Sequence, residues 1–281
     1  MSHADEQSND FDAVRLSARL HARDRYYAAL FAPAEARSDL IALAAFTGEI
    51  ERVVRRASEP AIGEIRIAWW RDALLSGKEL GRSGNPVLDA VAARLVQRRA
   101  LPLEAFENYL GAQAQALCAD PPVDDAVLSA ELRIIDGMPL RFAAAILGVS
   151  IDGHVERVLA AAARASGLKR IAIELHYALR RGRSPISRAR APRPDHAGGQ
   201  DDWRPRIAWL SAEAAAALGA MRHQLAGHPR VLTTALLPLA LVEPYFRALE
   251  KARNDPARDI VEISPIASLW RVACAHWSGR I

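Results

Sequence analysis

The sequence predicts an all-α fold, and three observations carry that reading. Alanine and leucine dominate an apolar share of 51%, and both favour helix; β-branched residues never run long enough to build a sheet. Apolar residues recur at steps of three and four, as in Leu43, Phe46, Ile50, Val53 and Ala57, which lines one stripe along a helix of 3.6 residues per turn. Prolines stand where segments begin, at Pro33, Pro86 and Pro102, and at a first helical position the missing N–H costs nothing. The 281 residues then read as a single domain of about ten helices.

In order, residues 1–10 are polar and read as a disordered N-terminus, with the folded domain covering 11–281. A first helix covers Asp12 to Leu30. The next runs from Ala34 to Ala57 and stops at Ser58-Glu59-Pro60. A third spans Ala61 to Leu75 and ends near Gly77. After a loop over Gly81 to Pro86, helices run from Pro86 to Arg99 and from Pro102 to just before Asp120-Pro121-Pro122. Asp124 caps a long helix towards Leu147, interrupted at Gly137-Met138-Pro139. His154 to Arg181 forms another. Residues 188–205 are dense in Pro, Gly and charge and read as a long loop. Ser211 reads as the N-cap of a helix over 211–226, followed by helices at 230–252 and 264–277.

Composition and motifs exclude several function classes. The net charge of +4 is spread among carboxylates, which is no nucleic-acid footprint. Lysine occurs only at Lys78, Lys169 and Lys251; a GC-rich genome explains that bias as well as a preference for phosphate does. Cys118 and Cys274 form no framework and read as free, buried thiols in a reducing compartment. The N-terminus has no signal-peptide pattern, and the longest apolar run, Val231 to Phe246, is interrupted by Pro238, Glu243 and Pro244, so no transmembrane segment is expected. The chain is placed in the cytoplasm, or peripherally on the inner face of the cytoplasmic membrane. There is no GxGxxG, Walker loop, GxSxG or HExxH. His223 and His228 do not share a helix face, His176 has no ligand at metal spacing, and Asp201-Asp202 sits in the loop. Trp69, Trp70, Trp270 and Trp277 read as core and groove aromatics.

One ordered set of segments goes further. Asp24 to Phe46, DRYYAALFAPAEARSDLIALAAF, resembles the early helices of the squalene/phytoene synthase family. Gly84 to Leu88, Gly137 to Gly148 (GMPLRFAAAILG) and Gly167 to Arg183 (GLKRIAIELHYALRRGR) resemble later family segments in the same order. The resemblance implies the isoprenoid (terpenoid) synthase-like helical bundle with a central apolar cavity. It implies head-to-head joining of two prenyl diphosphates, with Mg²⁺ held by two Asp-rich motifs on facing helices. Here the first motif falls on Glu51, Arg52 and Arg55, and the second on Glu174, Tyr177 and Ala178. Most of the metal-binding carboxylates are thus replaced, two of them by cations, and a fixed guanidinium repels a divalent ion and competes for the acids that remain. Glu51 with Arg55, and Arg170 with Glu174, stand at i,i+4.

A second segment points the same way. Glu64 to Leu74, EIRIAWWRDAL, resembles a divergent branch that lacks the acidic motifs and includes mitochondrial assembly factors of respiratory complex I; Glu64, Arg66, Trp70, Arg71 and Asp72 match its signature. The resemblance implies a non-catalytic, pseudoenzyme role in assembling or stabilising complex I (NADH dehydrogenase), with a complex I subunit or assembly intermediate as partner and no cofactor or metal. The alternative is a binder of an isoprenoid diphosphate or acidic lipid, with Tyr26, Tyr27, Glu51, Arg52, Arg55, Glu174, Tyr177 and Arg183 as pocket candidates. A residual transferase using farnesyl or geranylgeranyl diphosphate with Mg²⁺ is the last possibility.

Overall fold

The computed structural model describes residues 3–57, 59–76, 83–118, 122–180, 186, 204–251 and 261–281, and among them there is helix and no strand. The elements are α1 (His3–His21), α2 (Arg23–Leu30), α3 (Ala34–Arg56), α4 (Pro60–Ser76), α5 (Pro86–Ala90), a π-helical stretch (Val91–Arg98), α6 (Leu103–Cys118), α7 (Asp125–Ile135), α8 (Gly137–Ile146), α9 (Gly153–Arg180), α10 (Arg204–Leu225), α11 (Arg230–Leu236), a 3₁₀ turn (Leu237–Leu241), α12 (Val242–Lys251) and α13 (Pro265–Ser278). Asn85, Asp124 and Ser264 cap α5, α7 and α13 through their side-chain oxygens, satisfying N–H groups that the first turn leaves unpaired.

Two cores divide the molecule. One gathers α1 to α6 around Phe46, Phe106 and Tyr109. The other gathers α7 and α9 to α12 around Leu168, Leu175, Leu210 and Leu236. Helix α8 belongs to both: Leu140 and Ala144 face the second core, and Phe142 and Ile146 face the first. Residues four apart share a helix face, so two interleaved i,i+4 pairs make α8 a wall with an apolar surface on each side. The Phe142 ring stacks on Phe106 at 4.6 Å.

Helix α3 is more enclosed than one stripe predicts. Every residue from Asp39 to Gly48 is buried, because α1, α2, α4, α6, α8 and the π-helical stretch all pack around it. The helix expected over Asp12 to Leu30 is two helices broken at Ala22, whose backbone leaves the helical region (φ −140°, ψ 54°). The break lies against Gly48, where a Cβ would meet the His21 backbone at 3.0 Å; the absent side chain lets α3 approach the junction. Helix α1 also takes in most of 1–10.

Helix α10 starts at Arg204, ahead of the expected cap. Ser211 lies inside it, and its hydroxyl donates to Glu250 at 2.6 Å; tertiary packing overrides the local cap signal. Most of the 188–205 loop lies outside the described residues. Cys118 and Cys274 are exposed, not buried; Cys118 ends α6, where its thiol donates to Glu64 at 2.8 Å. Of the tryptophans, only Trp70 among the four named is a core residue, while Trp69, Trp270 and Trp277 are exposed. The stretch Arg230–Glu250 is apolar and long enough to cross a bilayer by composition, yet 67% of it is buried in the fold, as a core segment is.

Candidate functional site

Where the two cores meet, the helix ends around α2 enclose a cavity of about 350 Å³, near the lower end of the roughly 300–1,000 Å³ of ligand pockets. Its apolar wall is Ile135, Pro139, Leu140, Ile173 and Leu241, with Tyr177 and Tyr245 alongside. Its polar wall is a network of ion pairs drawn from α2, α3, α9 and the α7–α8 junction.

The break at Ala22 turns the start of α2 inward, and Asp24 and Arg25 enter the cavity wall. Arg25 Nη2 donates to both oxygens of Glu51 at 2.6 Å. Arg55 Nη1 lies 3.8 Å from the same carboxylate, one helical turn along α3. Lys169 Nζ donates to Asp24 at 2.7 Å. Arg170 is a double fork: Nε and Nη2 donate to Asp136 at 3.0 Å, and Nη1 donates to Glu174 at 2.8 Å. Asp136 reaches Arg170 past Gly167, where a Cβ would lie 2.6 Å from the carboxylate. The acids Asp24, Glu51, Asp136 and Glu174 thus balance the bases Arg25, Arg55, Lys169 and Arg170.

Burial and pairing set the acidity of these groups. Burial alone would raise the Asp24 carboxyl, but Lys169 and Arg25 outweigh it and hold it far below the ordinary carboxylate range. For Asp136 and Glu174 burial wins: it pushes both carboxyls up, and Arg170 only partly offsets it. Arg170 is held charged well above its ordinary range, because Asp136 and Glu174 outweigh its desolvation.

This donor set does not fit a Mg²⁺ cluster. A hard cation needs carboxylate oxygens free to complete an octahedron, but both oxygens of Glu51 and of Asp136 are occupied by guanidinium groups. Among the described residues no three acidic, His or Cys side chains converge as a metal site. An apolar recess does continue from Arg25, Pro139, Leu140 and Pro238 towards Leu40 and Leu43, but it holds only about 40 Å³, little more than one water molecule.

The predicted residues fall into separate places. Glu51, Arg55 and Tyr177 line the cavity, and Glu174 joins them through Arg170. Arg52 does not: it pairs with Glu49 at 2.6 Å and lines a groove between α3 and α4 with Arg56, Arg66 and Trp69. One residue on from Glu51 is about 100° round the helix, so positions 51 and 52 cannot serve one site. Tyr26 packs against the first core and Tyr27 against a small cluster with Leu237 and Val272, and neither lines the cavity. Ala178 lies on α9 next to Tyr177, and Arg183 lies outside the described residues. In the second signature Trp70 is buried edge-on to Phe46, while Glu64, Arg66, Arg71 and Asp72 are exposed on α4. His228 stacks on His154 with ring centres 4.6 Å apart.

Asp24, Arg25, Asp136 and Lys169 were missed. For two of these places a usable signal existed, a charge embedded in apolar sequence: Asp136 between Ile-Ile and Gly-Met-Pro-Leu, and Lys169-Arg170 between Gly-Leu and Ile-Ala-Ile.

Comparison with solved structures finds the squalene synthase HpnC from Alicyclobacillus acidocaldarius, at 19% identity over 88% of this chain and 95% of that one, with a TM-score of 0.66. It also finds a dehydrosqualene synthase in complex with ligand, at 14% identity over 98% and 99%, with a TM-score of 0.72. A search among curated protein sequences returns no match. The family model described as squalene/phytoene synthase matches residues 18–271. That match spans nearly the whole all-α architecture, including every wall of the cavity, and this chain belongs to the squalene/phytoene synthase family.

Proposed function

We propose that this chain is a non-catalytic member of its family that acts in the assembly or stabilisation of respiratory complex I. The observation that carries the loss of chemistry is the closed network: the acids that would hold a metal are neutralised in place by Arg25, Arg55, Lys169 and Arg170. Ionising a prenyl diphosphate needs a Lewis acid for the departing charge, and a guanidinium-paired carboxylate does not recruit one. The complex I role rests on the resemblance of Glu64 to Leu74. Its exposed side supports partner binding: Ile62, Ile65 and Trp69 are solvent-facing, beside Glu64, Arg66, Arg71 and Asp72.

Two experiments test this reading. Purified protein incubated with farnesyl or geranylgeranyl diphosphate and Mg²⁺ should release no pyrophosphate and form no C30 or C40 product; metal-dependent turnover would overturn it. Deleting the gene in its host should lower assembled NADH dehydrogenase, and an intact complex in the deletion strain would remove the assembly role.

One observation favours a second use of the cavity. Glu174 and Asp136 take up protons more readily than ordinary carboxyls, and each protonation leaves a cation in excess beside Tyr177. That arrangement supports metal-independent binding of an anionic head group, an isoprenoid diphosphate or an acidic lipid. Calorimetric titration with inorganic pyrophosphate in the presence of a chelator should then give binding without Mg²⁺ that strengthens as pH falls.

A further inference from the structure

Helix α13 carries the two most exposed tryptophans among the described residues, of which Trp277 touches Phe31 edge-on at 6.4 Å and still leaves most of its surface to solvent. Trp270 and Trp277 are each 62% exposed and Ile266 is 84% exposed. Positions 266, 270 and 277 fall on one face at the helical period, and the two indoles lean edge-on with centres 6.2 Å apart over the buried Ala273. The opposite face, Ser268, Val272 and Ala275, is buried, so α13 is anchored by one side and presents the other.

Beside that face runs a groove of about 460 Å³ between α12 and α13. Arg222, Arg247, Arg271 and Arg280 line it, against one acidic side chain, Glu243. Glu243 is shared between Arg222 at 2.6 Å and Arg247 at 3.7 Å. The surface is therefore cationic next to an apolar, indole-rich stripe. Those are the two attractions by which a helix lies on an anionic bilayer: indoles settle at the head-group level and guanidinium groups meet lipid phosphates.

We propose that α13, with the arginine groove beside it, docks the protein on anionic phospholipid bilayers, with Ile266, Trp270 and Trp277 inserting at the interface and Arg247, Arg271 and Arg280 contacting phosphate. This surface is separate from the cavity and holds whether or not the cavity binds a ligand.

The test uses the full chain and vesicles of phosphatidylcholine alone or mixed with phosphatidylglycerol. The protein should sediment with the mixed vesicles and not with the neutral ones, its tryptophan emission should shift to the blue on binding, and high salt should release it. Trp270→Ala with Trp277→Ala should remove most of the blue shift and of the binding. Each of Arg247→Gln and Arg271→Gln should weaken binding roughly fivefold at low salt. All four positions are solvent-exposed, and an unchanged melting temperature verifies that the variants are folded. Absence of sedimentation with anionic vesicles, or binding that survives the double tryptophan change, overturns the proposal. So does a concentration-dependent dimer abolished by the tryptophan changes without any lipid binding, which would give this face to a second copy of the chain.

Discussion

Asp24 carries the clearest pH dependence. Its carboxyl is held far below the ordinary value of 3.8 by Lys169 and Arg25, against the effect of burial. A depressed folded-state pKa means that its stabilisation is present above the unfolded value and lost as pH falls towards the folded one. Asp24→Asn should therefore cost about 3 kcal/mol near neutral pH, as expected for breaking one partner of a buried pair, and the gap from the parent protein should close as the solution is acidified below 3.8. Denaturant midpoints measured from pH 7 downward check this, and a constant gap would disprove it. Arg55 tests function at the same scale. It shares Glu51 with Arg25 across the cavity, so Arg25→Gln combined with Arg55→Asp frees both Glu51 oxygens and puts a second carboxylate beside them in place of the repelling charges. Calorimetry should then register Mg²⁺ binding in the variant and none in the parent. Arg52→Asp should give no such gain, since Arg52 faces α4.

Among the elements, the π-helical stretch Val91–Arg98 is held by one acid. Asp39, with no exposed surface, takes Arg99 at 2.6 Å, Arg94 at 3.4 Å and Arg98 at 3.5 Å. Those arginines cluster because the stretch is wound wider than an α-helix, and it ends with Ala100 in the left-handed region at φ 53°, where a Cβ is strained. Asp39→Ala should lower stability by about 2 kcal/mol, less than a fully buried triad would because the arginines can turn to water, and amide exchange should rise first over 91–101. The same scale shows what a sequence makes legible. The buried face of α4, Gly63, Ile67, Trp70 and Leu74, and the capped start of α7 are written in local period and local chemistry. The break at Ala22 and the role of Ser211 are not, because the first lies against Gly48 and the second is a hydroxyl taken by Glu250, both far along the chain. The site divides in the same way. Glu51, Arg55, Glu174 and Tyr177 come from a family resemblance that fixes positions along helices, and the fold gathers them at one cavity. Arg52, Tyr26 and Tyr27 lie away from that cavity, because a motif gives spacing and only the packed helix decides which side faces the cavity. Asp24 and Lys169 meet across 145 residues, and no local pattern joins them.

At the scale of the whole molecule, two cores share α8 and close over a layer of charge. Each core is assembled mainly from neighbouring segments, α1 to α6 on one side and α7 with α9 to α12 on the other. The layer between them couples distant stretches: Lys169 belongs to the second half and Asp24 to the first. In kinetic terms, this places the ion network late on the folding route. The two apolar halves can condense from short-range contacts, whereas joining their charged faces closes a loop of 145 residues and desolvates the ions only when docking is complete. Removing a network contact should then speed unfolding and leave the refolding rate nearly unchanged. For Lys169→Met, stopped-flow measurements should show the unfolding limb of the chevron raised and the folding limb in place. The charge layer would then act as the latch that sets the lifetime of the native state.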